Sequence, residues 1–197
     1  MTTGLLLASA SPRRRELLER VGISLEVRPA DVDETALAGE TPAAYVGRIA
    51  RAKAAAVPRL PGTWVLAADT TVTIDGLILA KASSPDEATE MLRRISGRTH
   101  QVMTAFVVLG DGIVRERMVT SQVEMIPIDP STLADYVASN EWRGKAGAYA
   151  VQGIGAALVR GITGSVTNVI GLPLVEVLEV LRDAGGPTPR FTAGIPA

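Results

Sequence analysis

Short apolar runs alternate with amphipathic stretches along most of the chain. Leu5–Ala8 and Trp64–Ala68 are each long enough for one buried strand, and small or polar residues follow both. Helices are predicted to begin where a serine, threonine or aspartate precedes a proline, since this pair suits a helix cap and the first helical position. Such pairs put the helix starts at Pro12, Pro42, Pro85 and Pro130. Strands interspersed with helices predict an α/β fold.

Two turn signals add antiparallel pairing to this pattern. Asp75-Gly76 separates two short apolar runs, which is a strong hairpin signal. Gly110–Gly112 joins two longer strand candidates, 101–109 and 113–128. The sheet is therefore expected to be mixed, with the strand that starts at Trp64 stopping at Asp69.

Length and composition limit the classes of protein that fit. A chain of 197 residues suits one folding unit, expected over residues 1–186, and the proline-rich segment 187–197 is expected to be poorly ordered. A net charge of −1 gives no general attraction to nucleic acid or to an anionic membrane. The sequence has no cysteine, so disulfides and thiolate metal sites are not expected. It also has no apolar run of about 20 residues, so membrane spans are not expected. We expect a cytoplasmic protein.

The first helix start carries an unusual charge pattern. Arg13–Arg15 follow Ser11 and a proline, so three cations lie where the helix dipole disfavours them by about 0.3–1 kcal/mol each. A bound anion would reverse this penalty, because backbone N–H groups, serine hydroxyls and guanidinium forks all donate to phosphate. The run indicates a phosphate site formed by Ser9, Arg13 and Arg14. The alternative is a solvated, locally unfavourable arginine run.

Two acids and two lysines are the other candidates for chemistry. At a strand end, Asp69 could hold a divalent cation or orient a water molecule, or it could simply form a turn with its own backbone. Glu34 lies in the acidic segment 29–40 and is either a second oxygen ligand or a surface charge. Lys53 shares a predicted helix face with apolar residues, and Lys81 follows the predicted hairpin. Both lysines could neutralise a polyphosphate or be solvated cations.

Several familiar sites are missing from the sequence. It has neither a GxxxxGK[ST] nor a GxGxxG motif, and no GxSxG motif. The only histidine, His100, has no second histidine for a metal site, so a structural hydrogen bond is expected there. The remaining inventory of basic helix start, two acids and two lysines suits metal-assisted attack of water on a phosphoanhydride.

Seven segments together resemble the Maf family of nucleotide pyrophosphatases. They occur in family order over about residues 5–182: Leu7–Arg14, Asp33–Thr35, Arg48–Ala54, Ala68–Val72, Ser96–Val102, Lys145–Gly153 and Asn168–Leu174. The resemblance implies a two-lobed α/β fold, with a long twisted mixed sheet flanked by helices and a central cleft. It also implies a homodimer, and hydrolysis of a nucleoside triphosphate to the monophosphate and pyrophosphate with Mg²⁺ or Mn²⁺.

Residue roles follow from the same resemblance. Asp69 would accept the proton from water, and Glu34 with Asp69 would hold the metal. Lys53 and Lys81 would bind the triphosphate together with Ser9 and Arg13. Three positions, Arg13, Thr70 and Gln152, match those with which the family selects the base. The Lys-Ala-Gly-x-Tyr stretch followed by Gln resembles the branch that acts on dTTP and UTP, and an amide can both donate to and accept from a pyrimidine edge.

Other functions are weighed against this hypothesis. Within the family the alternative is a 7-methyl-GTP pyrophosphatase, and outside catalysis it is a nucleotide-binding regulator of septum formation and cell division. A nucleic-acid-binding module fits poorly with 4% aromatic residues. One departure from the family pattern is Ala82, where proline commonly follows the lysine, so the backbone that aims Lys81 is less constrained.

Overall fold

The computed structural model describes residues 4–191. The strands are β1 Leu5–Leu7, β2 Leu25–Val27, β3 Trp64–Ile74, β4 Leu77–Leu79, β5 Thr99–Gly110, β6 Ile113–Met125 and β7 Val159–Thr163. The helices are α1 Pro12–Arg20, α2 Pro42–Ala56, α3 Pro85–Ile95, α4 Pro130–Ala138, α5 Val166–Ile170 and α6 Leu174–Asp183. A 3₁₀ turn, Ile154–Leu158, precedes β7. The four proline-marked helix starts are confirmed.

All seven strands form one sheet in the order β2-β1-β3-β5-β6-β7, with β4 paired to β3. β1 is parallel to both β2 and β3, and the other pairs are antiparallel. The Asp75-Gly76 hairpin has positive φ angles of 53° and 77° at its two loop residues, as a tight turn matched to the strand twist requires. The α/β class and the mixed sheet are confirmed.

The core is divided into three clusters by the alternation of side chains along β3. Val65 and Ala67 pack with α2 on one face of the sheet. On the other face, Leu66 and Ala68 pack with α1 and α6, whereas Val72 and Ile74 pack with α3 and α4. Position 70 lies between these last two clusters on the same face. Two packed lobes thus meet over the middle of β3, and a cleft opens there.

The expectation that the strand stops at Asp69 is wrong. β3 runs on to Ile74, because β5 pairs with it continuously from Val65 to Thr73. What ends at this level is the parallel neighbour β1, whose last registered pair joins Leu7 to Leu66. Asp69 is therefore in the middle of a long strand and beside the end of a shorter one.

Two further sequence expectations concern the ends and environment of the chain. Within residues 187–191, the Arg190 N–H donates to the Val21 carbonyl at 2.8 Å. Residues 192–197 of the expected tail lie outside the described residues, so the tail and the domain limits stay predictions. No helix in the described part of the chain is long and apolar enough to cross a membrane.

Candidate active site

A cleft of about 310 Å³ lies between the two lobes. Its lining includes all nine residues that the sequence marks as a candidate site: Ser9, Arg13, Arg14, Glu34, Lys53, Asp69, Thr70, Lys81 and Gln152. These residues come from α1, α2, β3 and four connecting segments. The structure therefore brings the whole set together, although its members are spread over most of the sequence.

Lys53 joins the two carboxylates of the cleft. Its ammonium nitrogen lies 2.7 Å from Asp69 Oδ1 and 2.6 Å from Glu34 Oε1. The side chains of Lys53 and Asp69 are only 9% and 10% exposed, so this pair is held away from bulk water. Lys81 contacts the other oxygen of Glu34 at 3.4 Å and is largely exposed. The cluster leaves one of the three Lys53 donors without an acid partner.

Glu34 keeps its position because α2 holds the acidic segment 29–40. The Tyr45 hydroxyl donates to the Glu34 carbonyl at 3.0 Å. One turn further along α2, Arg48 makes two bonds of 2.7 Å to Glu40 and one of 3.0 Å to the Thr35 carbonyl. These hydrogen bonds from Arg48 lower the pKa of Glu40 to about 2, so the anchoring carboxylate stays ionised at neutral pH.

The charge of Glu34 is set by two opposing effects. Burial works against ionisation, but hydrogen bonds from Lys53 and the positive charges of Lys53 and Lys81 outweigh it, so the pKa of Glu34 lies below its ordinary value. A carboxylate at this position is therefore anionic at neutral pH. The Lys53 ammonium group contacts this carboxylate and that of Asp69 together.

The three arginines of the first helix turn have three different environments. Arg15 is exposed and pairs with Glu19. Arg13 lines the cleft and donates from Nε to the Ile170 carbonyl at 3.2 Å, and burial lowers its pKa. Arg14 is 7% exposed, and burial lowers its pKa too.

Arg14 donates four hydrogen bonds within the protein. Its partners are Ser9 Oγ at 2.9 Å, the Ala68 carbonyl at 2.7 Å, Thr70 Oγ1 at 3.0 Å and the Gly171 carbonyl at 2.7 Å. One of its five N–H groups is left for a ligand. The unfavourable charge at the helix start is thus stabilised by neutral protein acceptors at this position, and a contact of Arg14 with substrate stays a prediction.

The Ala68 carbonyl explains why an arginine is needed there. Leu66 O accepts from Ala8 N–H at 2.8 Å, and carbonyls two residues apart on a strand point the same way. Ala68 O therefore points past the end of β1, where no strand remains to bond it. Arg14 Nη1 supplies the missing donor, and this joins the turn after β1 to the centre of β3.

The opposite wall of the cleft is the segment 144–152. The sequence-based site omits two of its side chains, Lys145 and Tyr149, although both stand in the Lys-Ala-Gly-x-Tyr motif. Lys145 donates to the backbone carbonyls of Glu141 and Arg143, and burial lowers its pKa. The motif was a sufficient signal to single out Lys145.

Tyr149 is the hydrogen-bond partner of His100, the only histidine of the sequence. His100 Nε2 and the Tyr149 hydroxyl are 2.8 Å apart, and both residues are buried. Burial lowers the pKa of His100 to about 4, so the ring is neutral at neutral pH. The expected structural hydrogen bond of His100 is confirmed.

A divalent cation fits the acidic end of the cleft. No group of three or more His, Cys, Asp or Glu side chains among residues 4–191 could form a complete protein site. Glu34 and Asp69 nevertheless supply two hard oxygen donors close together, since both carboxylates contact the Lys53 ammonium group. Mg²⁺ commonly takes one or two carboxylates, with phosphates and water as its remaining ligands. The donor set suits a metal that arrives with a phosphorylated ligand.

Comparisons with known proteins agree with these features. A family model described as "Maf-like protein" matches residues 4–184. A relative from Anaeromyxobacter sp. (strain Fw109-5) is 46% identical over 202 residues, covering 100% of this chain and 97% of the relative. Another from Myxococcus xanthus (strain DK1622) is 50% identical over 188 residues, covering 95% of both chains. Each of the two is described as "dTTP/UTP pyrophosphatase".

A solved structure is also similar, at a greater distance. A HAM1 protein from Coxiella burnetii is 18% identical and gives a TM-score of 0.49, with 92% of this chain and 100% of that chain covered. A likeness at this level supports no conclusion about the site.

Proposed function

The chain belongs to the Maf family, and on that basis we propose that it hydrolyses dTTP and UTP to the monophosphate and pyrophosphate. The observation that carries the proposal is the cluster of Glu34, Lys53 and Asp69 at the base of a cleft that Arg13 and Lys81 also line. Cations for a phosphate chain and an acid for a water molecule lie in one cavity. A site that only bound nucleotide would need the cations and not the acid.

Asp69 is the group that accepts the proton of the attacking water. Lys53 fixes one of its oxygens, and the other has no protein partner among the described residues, so it is free to orient water. Since the side chain is 10% exposed, it faces the cleft with little competition from bulk solvent. The water then attacks the α-phosphorus, and the bond to the bridging oxygen breaks with pyrophosphate as the leaving group.

The cations of the cleft hold the triphosphate. Lys81 is 60% exposed and has only one contact, at 3.4 Å, to exchange for phosphate, whereas Lys53 bonds both acids and offers its third donor. Ser9, in the turn before α1, and Arg13, in the first turn of α1, contact the triphosphate. Glu34 and Asp69 would hold a divalent cation, Mg²⁺ or Mn²⁺, which neutralises phosphate charge when bound. No other contribution of the metal is needed for the proton to move from water to Asp69.

The base is selected by the cleft wall that carries Gln152. Gln152 is exposed in this wall and carries both a donor and an acceptor, as the O and N–H edge of thymine or uracil requires. Arg13 and Thr70 also line the cleft and take part in selecting the base. A cytoplasmic location, a homodimer and the absence of nucleic-acid binding stay predictions.

The test is pyrophosphate release from dTTP, UTP, CTP, 7-methyl-GTP and ATP with Mg²⁺ or Mn²⁺. We expect release from dTTP and UTP that stops on chelation and falls about 10²–10⁴-fold in Asp69→Asn. The matched control is Asp75→Asn, since Asp75 lies in an exposed turn at the end of the same strand and, among residues 4–191, bonds only Arg98. It should retain wild-type activity.

Three results would contradict the proposal. Preference for 7-methyl-GTP would place the chain in the other branch of the family. Nucleotide binding without release would favour the cell-division regulator. Equal loss of activity in the Asp69 and Asp75 variants would mean that the substitution at position 69 acts through folding.

A further inference from the structure

The segment that carries Gln152 follows Glu141 in the chain and returns to the Glu141 carboxylate at its far end. Glu141 Oε2 accepts from the Ile154 N–H at 2.9 Å, and Glu141 Oε1 accepts from the Gly155 N–H at 2.8 Å. The Tyr136 hydroxyl in α4 donates to Oε1 as well, at 3.2 Å. Three donors from two elements thus fix a half-buried side chain, and residues 142–153 form a closed loop between its backbone and its carboxylate.

The chain is fitted closely around this carboxylate. A Cβ at Gly153 would lie 1.8 Å from Glu141 Oε2 and 2.5 Å from its Cδ. A Cβ at Gly155 would lie 2.7 Å from the Ala150 carbonyl oxygen and 2.9 Å from the Tyr136 hydroxyl. Both glycines are needed because nothing larger than hydrogen fits between the backbone and these groups. Gln152 directly precedes the first of them.

The rest of the loop is fixed by other contacts. Trp142 is buried and donates from its indole to the Val137 carbonyl at 2.9 Å. Gly147 N–H bonds the Leu79 carbonyl at 3.0 Å, and Tyr149 bonds His100. Among residues 4–191, by contrast, the Gln152 side chain makes no hydrogen bond. Its direction therefore depends on the backbone at 152–155, which Glu141 holds.

We propose that Glu141 is a positioning residue that aims Gln152 at the base and thereby sets the preference of this site for thymine and uracil. The proposal rests on the proposed function, in which Gln152 contacts the base. Glu141 itself touches no substrate. Its carboxylate substitutes for the missing partners of two backbone N–H groups, so the backbone that carries Gln152 keeps one position in the cleft wall.

The test compares Glu141→Gln, Gln152→Ala and the double variant, with steady-state rates on dTTP and dCTP. The two hydrogen bonds from the Ile154 and Gly155 N–H groups to the Glu141 carboxylate form a clasp. The amide of Glu141→Gln retains one acceptor and turns a donor towards a backbone N–H, so the clasp opens with little change of size. We expect KM for dTTP to rise about tenfold and kcat to change less than threefold, which corresponds to one lost hydrogen bond of about 1.4 kcal/mol. The preference for dTTP over dCTP should fall as far as it does in Gln152→Ala.

The double variant distinguishes positioning from an independent effect. If Glu141 acts through Gln152, the double variant resembles Gln152→Ala alone. Asp129→Asn is the matched control, because Asp129 also accepts two backbone N–H bonds, at the start of α4 and outside the cleft. It should reduce stability without altering the dTTP to dCTP ratio. Additive losses in the double variant, or an unchanged ratio in Glu141→Gln, would overturn the proposal.

A structural measurement separates failure of this proposal from failure of the proposed function. Hydrogen exchange of the Ile154 and Gly155 amides needs no substrate, and we expect Glu141→Gln to accelerate it at least tenfold while the β5 amides are unchanged. If exchange accelerates but no nucleotide is hydrolysed by the wild type, the clasp exists and the proposed function is wrong. If exchange is unchanged, Glu141 does not hold the loop.

Discussion

Arg14→Lys is the substitution that best tests how the cleft is held together. It keeps the positive charge but replaces a planar fork by a single ammonium group. The four acceptors of Arg14 lie on the turn before α1, on β3 and on the segment after α5. The bonds to the Gly171 and Ala68 carbonyls leave from two different nitrogens of Arg14, Nε and Nη1, whereas lysine has one.

The expected loss follows from the acceptors left without a donor. A buried acceptor that loses its partner costs about 1–3 kcal/mol. The Gly171 carbonyl keeps a bond of 3.2 Å from Thr70 Oγ1, whereas Arg14 is the donor that reaches Ala68 O beyond the end of β1. We therefore expect Arg14→Lys to lower the free energy of unfolding by about 1–3 kcal/mol. KM for dTTP should rise as well, because Ser9 and Thr70 both lose a fixed neighbour.

The assay is urea unfolding, with Arg15→Lys as the control. Arg15 is the next residue along, with its side chain 57% exposed and paired with Glu19 on the surface. Its replacement should change stability by less than about 0.5 kcal/mol. A shift of the midpoint without a change of slope in Arg14→Lys alone would support the reasoning. Equal, small effects of the two substitutions would refute it.

Two further predictions concern buried charge. His100, with its pKa lowered to about 4 by burial, binds its proton more weakly in the folded chain than in the unfolded chain, where the value is about 6.5. The free energy of unfolding should therefore fall by up to about 3 kcal/mol as the pH is lowered from 6.5 to 4. In thermal unfolding over this range, His100→Gln should show a smaller dependence of stability on pH. An equal dependence in both proteins would contradict the prediction. Lys53→Met leaves Asp69 and Glu34 facing each other without their shared cation, so we expect a loss of roughly 2–4 kcal/mol at pH 7 by urea unfolding, largely recovered in Lys53→Met/Asp69→Asn. No recovery in the double variant would mean that the alkyl chain of Lys53, and not its charge, supports the cleft.

Local signals in the sequence were enough to predict most of the elements. Each proline-marked helix start is confirmed because the fixed φ angle of proline acts within one turn of chain. Thr41, Ser84 and Asp129 also cap their helices, whereas Ser11 makes no side-chain cap bond. The Asp75-Gly76 hairpin is confirmed for the same reason, since the φ angles of two residues determine it. The nine candidate site residues also line one cleft. They were identified by charges at unusual places and by the family resemblance.

What the sequence could not decide depends on contacts between distant segments. The length of β3 is set by β5, so the residues around Asp69 give no sign that the strand continues. Arg14 bonds the Gly171 carbonyl 157 residues later, and only that packing turns a surface charge into a buried one. In the sequence, nothing distinguishes Glu141 from an ordinary loop acid, because its bonds from the N–H groups of residues 154 and 155 form only in the folded chain. A sequence determines its local conformations directly, whereas the partner of a side chain exists only once the whole chain has folded.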